Sequence, residues 1–402
     1  MTDRQDDTAD DVTRRATGLI HHPYQPPTAF AAPMAGVFKA STVYFENTAA
    51  MRSSRWIDKS AYTYGLHGTP TTFLLEERLA TLEGGTHALL VPSGLAAITL
   101  VDIALLKAGD HVLLPDNGYG PGTRFAREDL ARWGITMGLY DAMDPASLAA
   151  AITPATRLVW TEAPGSVTLE FPDLPALVRT VREHAPQARV ALDNTWGAGL
   201  AFDAFADAGV DLTIHALTKY PSGGGDVLMG SVVYRDAGLH AKLAWARARL
   251  GLGVGVNDVE AILRSLPSMP LRYAAQDAAG RAFAQWCQSR AEFKRVLHPA
   301  LADSPGHAHW QALCRAAAGL VTVEFDERYS PAQVDAFVDA LQRFKIGWSW
   351  GGPVSLAVPY QAAEMRSLPT PYTGTLVRFC LGLEALDDLT ADVAQALAAL
   401  GR

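Results

Sequence analysis

Lys219 stands in an unusual place. The stretch Leu212–Gly230, LTIHALTKYPSGGGDVLMG, opens as an apolar strand, turns polar at Thr218-Lys219-Tyr220 and runs into Pro, Ser and three glycines. A buried strand has little structural reason to end in an amine. A lysine that attacks a carbonyl has one, because partial burial disfavours the ammonium and frees the lone pair. Asp193 closes the preceding apolar strand, RVALDN (189–194). A carboxylate there is costly unless it is paired, and both groups would project from the same sheet edge. Arg378 lies inside the apolar TLVRFCLGL, where its forked donors suit a carboxylate. Tyr119, in DNGYGPG after another strand, offers a ring face. Pro92-Ser93-Gly94-Leu95 joins a strand to a helix, and the free N–H groups of that first turn make an anion site with Ser93 as cap. Taken singly, each has an ordinary explanation: an Asp capping a loop, a surface Tyr, an internal Arg–acid pair, a common strand-to-helix turn.

Together they point to one chemistry. An imine-forming lysine beside a carboxylate that keeps a ring nitrogen protonated is the pair that pyridoxal phosphate requires. Three other motifs carry less. Gly347-Trp348-Ser349-Trp350-Gly351 fits G-x-S-x-G, but that arrangement needs a later histidine and none follows His309. Gly251-x-Gly253-x-Gly255 has neither the spacing nor the position of a dinucleotide fingerprint. His21-His22 and His307-x-His309 lack an accompanying acid or cysteine cluster, so no metal site is expected.

The elements that must position these groups alternate. After the helix pattern TTFLLEERLATLEG, stopped by Gly84-Gly85, strands are expected at 88–91, 111–115, 135–140, 157–162, 189–194, 212–217 and 230–234. Helices are expected between them at Ser93–Ala108, Gly122–Trp133, Pro145–Ile152, Pro175–Glu183 and, briefly, Phe202–Ala208. Seven apolar strands so connected imply an α/β fold whose mostly parallel sheet is covered on both faces, with ligands at the strands' carboxyl ends. Ser265–Pro270, SLPSMP, reads as a junction. A smaller α+β domain follows, with helices Tyr273–Val296, Ala332–Phe344 and Leu389–Leu400 and strands at Leu320–Phe325 and Leu376–Leu381. Residues 1–65, with four prolines in His21–Met34 and a short strand expected at Ser41–Phe45, read as an extended arm; 66–265 form the large domain and 266–402 the small one. A chain of 402 residues with net charge −8 is globular and has no general affinity for nucleic acid. Three scattered cysteines fit a reducing compartment, and the polar N-terminus and interrupted apolar runs predict a cytoplasmic protein with no membrane span.

From about Phe38 to Leu400 the chain resembles the pyridoxal-phosphate enzymes of cysteine and methionine metabolism, of aspartate-aminotransferase-like (fold type I) architecture. The likeness rests on Tyr64-Gly65 with Gly68-Thr69, LEGG (82–85), PSG (92–94), GDHVL (109–113), EAPGS (162–166), DNTW (193–196), TKY (218–220), SWGG (349–352) and GTLVR…GLE (374–384). The resemblance implies that Lys219 bonds the cofactor and acts with Tyr119 in catalysis. It implies that Asp193 partners the ring nitrogen and that Tyr119 stacks on the ring. Gly94, Leu95 and Thr218 would cradle the phosphate, and Tyr64 would reach the phosphate in a neighbouring subunit. Arg378, Ser349, Trp350 and Tyr119 would meet the substrate. A homo-oligomer follows, a dimer at least and commonly a tetramer in the family. The implied activity is carbon–sulfur lysis, closest to cystathionine β-elimination. Cystathionine γ-lyase or γ-synthase chemistry, a broader cysteine-S-conjugate lyase or cysteine desulfhydrase, and a non-catalytic interaction protein on the same fold remain alternatives. Three departures bear on this: Leu66-His67 where the family usually has a phosphate-binding Arg, Pro221–Asp226 (PSGGGD) where a His is usual, and Pro353-Val354 after SWGG where a Glu is common.

Overall fold

The computed structural model describes residues 32–401. The arm's proline run before residue 32 and the His21-His22 pair lie outside the described residues. The first sheet has seven strands: β1 (His87–Val91), β2 (His111–Pro115), β3 (Thr136–Tyr140), β4 (Thr156–Glu162), β5 (Arg189–Asp193), β6 (Leu212–Ala216) and β7 (Gly230–Tyr234). Their order is β1-β7-β6-β5-β4-β2-β3. The strands from β3 across to β6 run parallel, while β7 is antiparallel to both β6 and β1. Every expected strand of this sheet is present, with ends shifted by no more than a residue. Near-continuous Val and Leu runs produce this because both faces are covered: Leu90, Leu113, Val159, Val190 and Leu192 pack on one side, and Leu89, Val112, Leu158, Ala191 and Ile214 on the other.

Helix ends follow their caps. The helix Gly94–Leu105 starts at Ser93, whose Oγ accepts from the Ala96 N–H at 3.0 Å. The expected helix Gly122–Trp133 is instead an α-helix, Gly120–Glu128, followed by a 3₁₀ turn, Leu130–Trp133, that ends at left-handed Gly134. The stretch near Phe202–Ala208 is a single π-turn, Ala204–Ala208.

The second sheet contains β8 (Phe293–Leu297), β9 (Leu320–Phe325), β10 (Lys345–Ile346), β11 (Leu356–Gln361) and β12 (Thr375–Cys380), in the order β10-β11-β12-β9-β8. The expected helix Tyr273–Val296 is corrected. The helix is Met269–Gln288, and residues 293–297 pair antiparallel with β9. Phe293 and Val296 there join a core with Phe283, Phe325, Phe337 and Phe379, and that packing outweighs the segment's helical composition. Within SLPSMP, Leu266–Ser268 form a 3₁₀ turn between the helices Val256–Ser265 and Met269–Gln288, with Pro270 in the first turn where no N–H is needed. The strand expected at Ser41–Phe45 reduces to one bridge, Thr42 to Tyr64. Both sheets belong to one compact unit that begins at Val37.

Candidate active site

Lys219 sits in the turn just beyond the carboxyl end of β6. Its N–H donates to the Ala216 carbonyl at 3.0 Å, and the Ser222 N–H donates to the Leu217 carbonyl at 2.9 Å. Arg272 Nη1 clamps the turn through the Tyr220 carbonyl at 2.9 Å. The Lys219 Nζ donates to Ser349 Oγ at 3.0 Å and lies 5.5 Å from the Trp350 ring centroid. Burial, and next the Arg378 charge, pull this amine down to about 8; Cys380 and Asp193 oppose them. Ser349 thus faces an amine, and the G-x-S-x-G match is not a nucleophile elbow. Its loop is pinned by the Gly351 N–H on Cys380 Sγ at 3.3 Å and by Gln276 Nε2 on the Gly352 carbonyl at 2.8 Å. The glycines after Lys219 also have a geometric reason: Gly223 and Gly225 hold φ of +66° and +71°, where any side chain is strained.

Asp193 closes β5 directly opposite Ile214 of β6 and Glu162 of β4. It is partly buried, and desolvation raises its pKa; hydrogen bonds from Thr195 and the nearby His215 and Lys219 pull the other way. Burial first, and then Asp193, push Glu162 up as well. Tyr119, Glu162 and Asp193 line one cavity of about 30 Å³ together with Ile98, Trp160 and Thr161. The position of β5 relative to β6 is fixed from below by Glu83, a fully buried carboxylate that accepts from Asn194 Nδ2 at 2.9 Å and Thr213 Oγ1 at 3.0 Å and pairs with His215 Nδ1 at 2.8 Å.

The N–H groups of Gly94 and Leu95 occupy the first turn of their helix, where the helix supplies no acceptor of its own. Backbone approach is tight there. A Cβ on Gly94 would meet Ala216 Cβ at 2.6 Å, and one on Gly230 would meet the Ser93 carbonyl oxygen at 2.3 Å. Thr218, next to Lys219, exchanges hydrogen bonds with the backbone of Met229 through Oγ1. Arg378 on β12 has no carboxylate partner among the described residues, so the internal ion-pair explanation falls away. Its Nε lacks any partner. Its guanidinium lies 5.6 Å from the Tyr360 ring centroid. These groups fit pyridoxal phosphate: an amine whose pKa burial lowers to about 8, a partly buried carboxylate ending the neighbouring strand, a helix N-terminus and a cation with no ion pair among the described residues.

Tyr64 is set apart. It is 45% exposed, on a turn bridged to Thr42, and does not line the cavity shared by Tyr119, Glu162 and Asp193. His67, two residues after Leu66's preceding glycine, brings no cation. It stacks on Trp56 at 4.4 Å, pairs through Nδ1 with Thr63 Oγ1 at 2.8 Å, and burial and then Arg247 lower its pKa. His307 Nδ1 meets the Pro299 carbonyl and His309 lies 3.7 Å from Asp173. The sequence reading missed Glu162, Tyr360 and Cys380 as members of the site. Glu162 was detectable by the same signal as Asp193, an acid closing an apolar strand; a Tyr or a Cys in an apolar strand carries no such signal.

The comparisons with known proteins agree with this chemistry. The family model for Cys/Met metabolism PLP-dependent enzymes matches residues 16–398. A putative cystathionine β-lyase of Rhizobium johnstonii is 39% identical over 90% of each chain. A cystathionine β-lyase of Bordetella avium is 37% identical over 97% of this chain and 99% of its own. A cystathionine γ-synthase of Xanthomonas oryzae pv. oryzae, solved with aminoacrylate and cysteine, superposes with a TM-score of 0.84 at 30% identity, covering 93% of this chain and 95% of that one. A chain that matches along nearly its whole length, with an amine and a partly buried carboxylate at the ends of neighbouring parallel strands, belongs to the Cys/Met metabolism PLP-dependent enzyme family of fold type I.

Proposed function

We propose that this chain is a cystathionine β-lyase, which cleaves L-cystathionine by α,β-elimination to homocysteine, pyruvate and ammonia. The observation that carries elimination chemistry is the Lys219 amine, near-neutral by burial, between the Ser349 hydroxyl and the Trp350 ring face. The choice of cystathionine follows the relatives that bear that name over the full chain length. Pyridoxal phosphate supplies an aldehyde for the amine and an electron sink for the Cα–H bond. With the cofactor bound, Asp193 would hold the proton of the ring nitrogen and Tyr119 would cover the ring. The N–H groups of Gly94 and Leu95, with Thr218, would hold the phosphate. Arg378, steadied by Tyr360, grips the substrate α-carboxylate beside Ser349 and Trp350. The Lys219 amine is placed to take the proton from the substrate Cα. Lys219 or Tyr119 returns a proton to the departing sulfur, and water completes the conversion to pyruvate and ammonia.

The site is completed by a second copy, in which Tyr64 serves the neighbour's phosphate; its exposure within one chain supports this. A homo-oligomer, a dimer or a tetramer built from two dimers, working in the cytoplasm is therefore part of the proposal, as are an arm up to residue 65 and domains on either side of residue 265. The likeness to a γ-synthase structure favours γ-chemistry as the second reading. The test is the keto acid released from L-cystathionine: pyruvate is expected, and 2-oxobutyrate would assign γ-cleavage instead.

A further inference from the structure

Glu162 takes no step in the reaction above, yet it sits at its centre. Both its oxygens are engaged: Oε2 accepts from the Tyr119 N–H at 2.7 Å and Oε1 accepts from Ser166 Oγ at 2.8 Å. Tyr119 immediately precedes the helix Gly120–Glu128 and its own side chain makes no cap, so this carboxylate is what fixes its backbone N–H. Placing a second, partly buried acid directly opposite Asp193 is unfavourable, so stability alone does not account for it. The same loop is gripped from the other side. Asp116 accepts from the N–H groups of Ser367 (2.8 Å) and Leu368 (3.2 Å). Arg366 donates to the carbonyls of Asp116 (3.3 Å) and Ser166 (3.1 Å) and to Thr168 Oγ1 (2.6 Å). Residues 366–368 connect β11 to β12, the strands that carry Tyr360 and Arg378.

We propose that Glu162 is a positioning residue: its carboxylate sets the Tyr119 backbone, and with it the plane of the ring offered to pyridoxal phosphate, while Arg366 ties that loop to the strand pair carrying Arg378. The inference rests on Tyr119 meeting the cofactor, as proposed above. Reach, rather than charge, is the property required. A Gln at 162 still accepts from the Tyr119 N–H, and the Ser166 hydroxyl turns to accept from its amide. An Asp keeps the charge but falls a methylene short.

The test compares wild type, Glu162→Gln and Glu162→Asp as full-length proteins titrated with pyridoxal phosphate. The readouts are cofactor Kd, visible circular dichroism of the bound cofactor, and the melting temperature of each cofactor-free protein. Glu162→Gln is expected to keep the dichroic signal and a Kd within about twofold of wild type. Glu162→Asp is expected to lose dichroic amplitude and bind about tenfold more weakly, the scale of one buried charged hydrogen bond. The opposite ranking would mean that Glu162 acts by its charge on Asp193, and would overturn the proposal. So would dichroism and Kd unchanged in both variants, with only the melting temperature altered. Arg366→Lys, which removes the fork with Glu162 intact, is expected to lower the dichroic signal in the same direction; it decides the matter should Glu162→Asp not fold, an unchanged signal then overturning the proposal. A wild-type protein that takes up no cofactor would instead refute the underlying reading of the site.

Discussion

The Lys219 amine sheds its proton more readily than an exposed lysine because of where its turn ends. Burial and the Arg378 charge bring its amine to about 8 from the ordinary 10.5, so in the cofactor-free protein the ammonium dominates below that pH and the free amine above it. The rate at which the protein captures pyridoxal phosphate is therefore expected to rise with pH and level off above about 8. Stopped-flow visible absorbance checks this, and a rate that still climbs through pH 10 would place Lys219 in ordinary solvent. Lys219 and Asp193 were legible in the sequence because a charged group ending an apolar strand contradicts its surroundings, and the contradiction is the signal. Arg378 carried the same signal without its resolution; the structure sets its guanidinium 5.6 Å from the Tyr360 ring centroid, and among the described residues it has no ion pair. Tyr360 and Cys380 were illegible because each also suits a buried strand. Both earn their place through contacts with residues distant in sequence, Arg378 with the Tyr360 ring and Gly351 with the Cys380 thiol.

At the scale of elements, the seven strands of the first sheet were readable because both faces are covered and their runs are almost purely apolar. The second sheet was less so. β10 has two residues and β11 contains Pro359, and neither makes a run that periodicity detects. Residues 289–296 have helical composition but are captured by the aromatic core. One device that no local pattern announced is Glu83, at the end of the helix Pro70–Glu83. Its three donors come from the loop after β5 and from β6, so one carboxylate holds the two strand ends that carry Asp193 and Lys219. Glu83→Ala would strand those donors in the core. A loss of about 3–5 kcal/mol in unfolding free energy is expected, measured by denaturant titration of the cofactor-free protein. A loss under about 1 kcal/mol would show that the strand ends hold themselves.

At the scale of the whole molecule, one chain gathers an amine, two carboxylates, a helix N-terminus and an arginine with no ion pair among the described residues, but leaves Tyr64 half exposed on a turn of its own. Mixed oligomers test what Tyr64 is for. Lys219→Ala and Tyr64→Ala chains, each impaired alone, are expected to recover activity on co-expression, because a hybrid dimer joins one intact Lys219 to the other chain's Tyr64. No recovery in hybrids shown to form would confine the site to a single chain. The central claim, that the molecule is built to present Lys219 to pyridoxal phosphate, has a more direct test. The protein is saturated with the cofactor, reduced with borohydride, digested and mapped by mass spectrometry. The expected result is bleaching of the visible band and one cofactor-sized mass addition on the peptide that holds Lys219. A protein that stays colourless with added cofactor, or carries the label on another lysine, would contradict the account and, in the colourless case, leave a non-catalytic protein on the same fold.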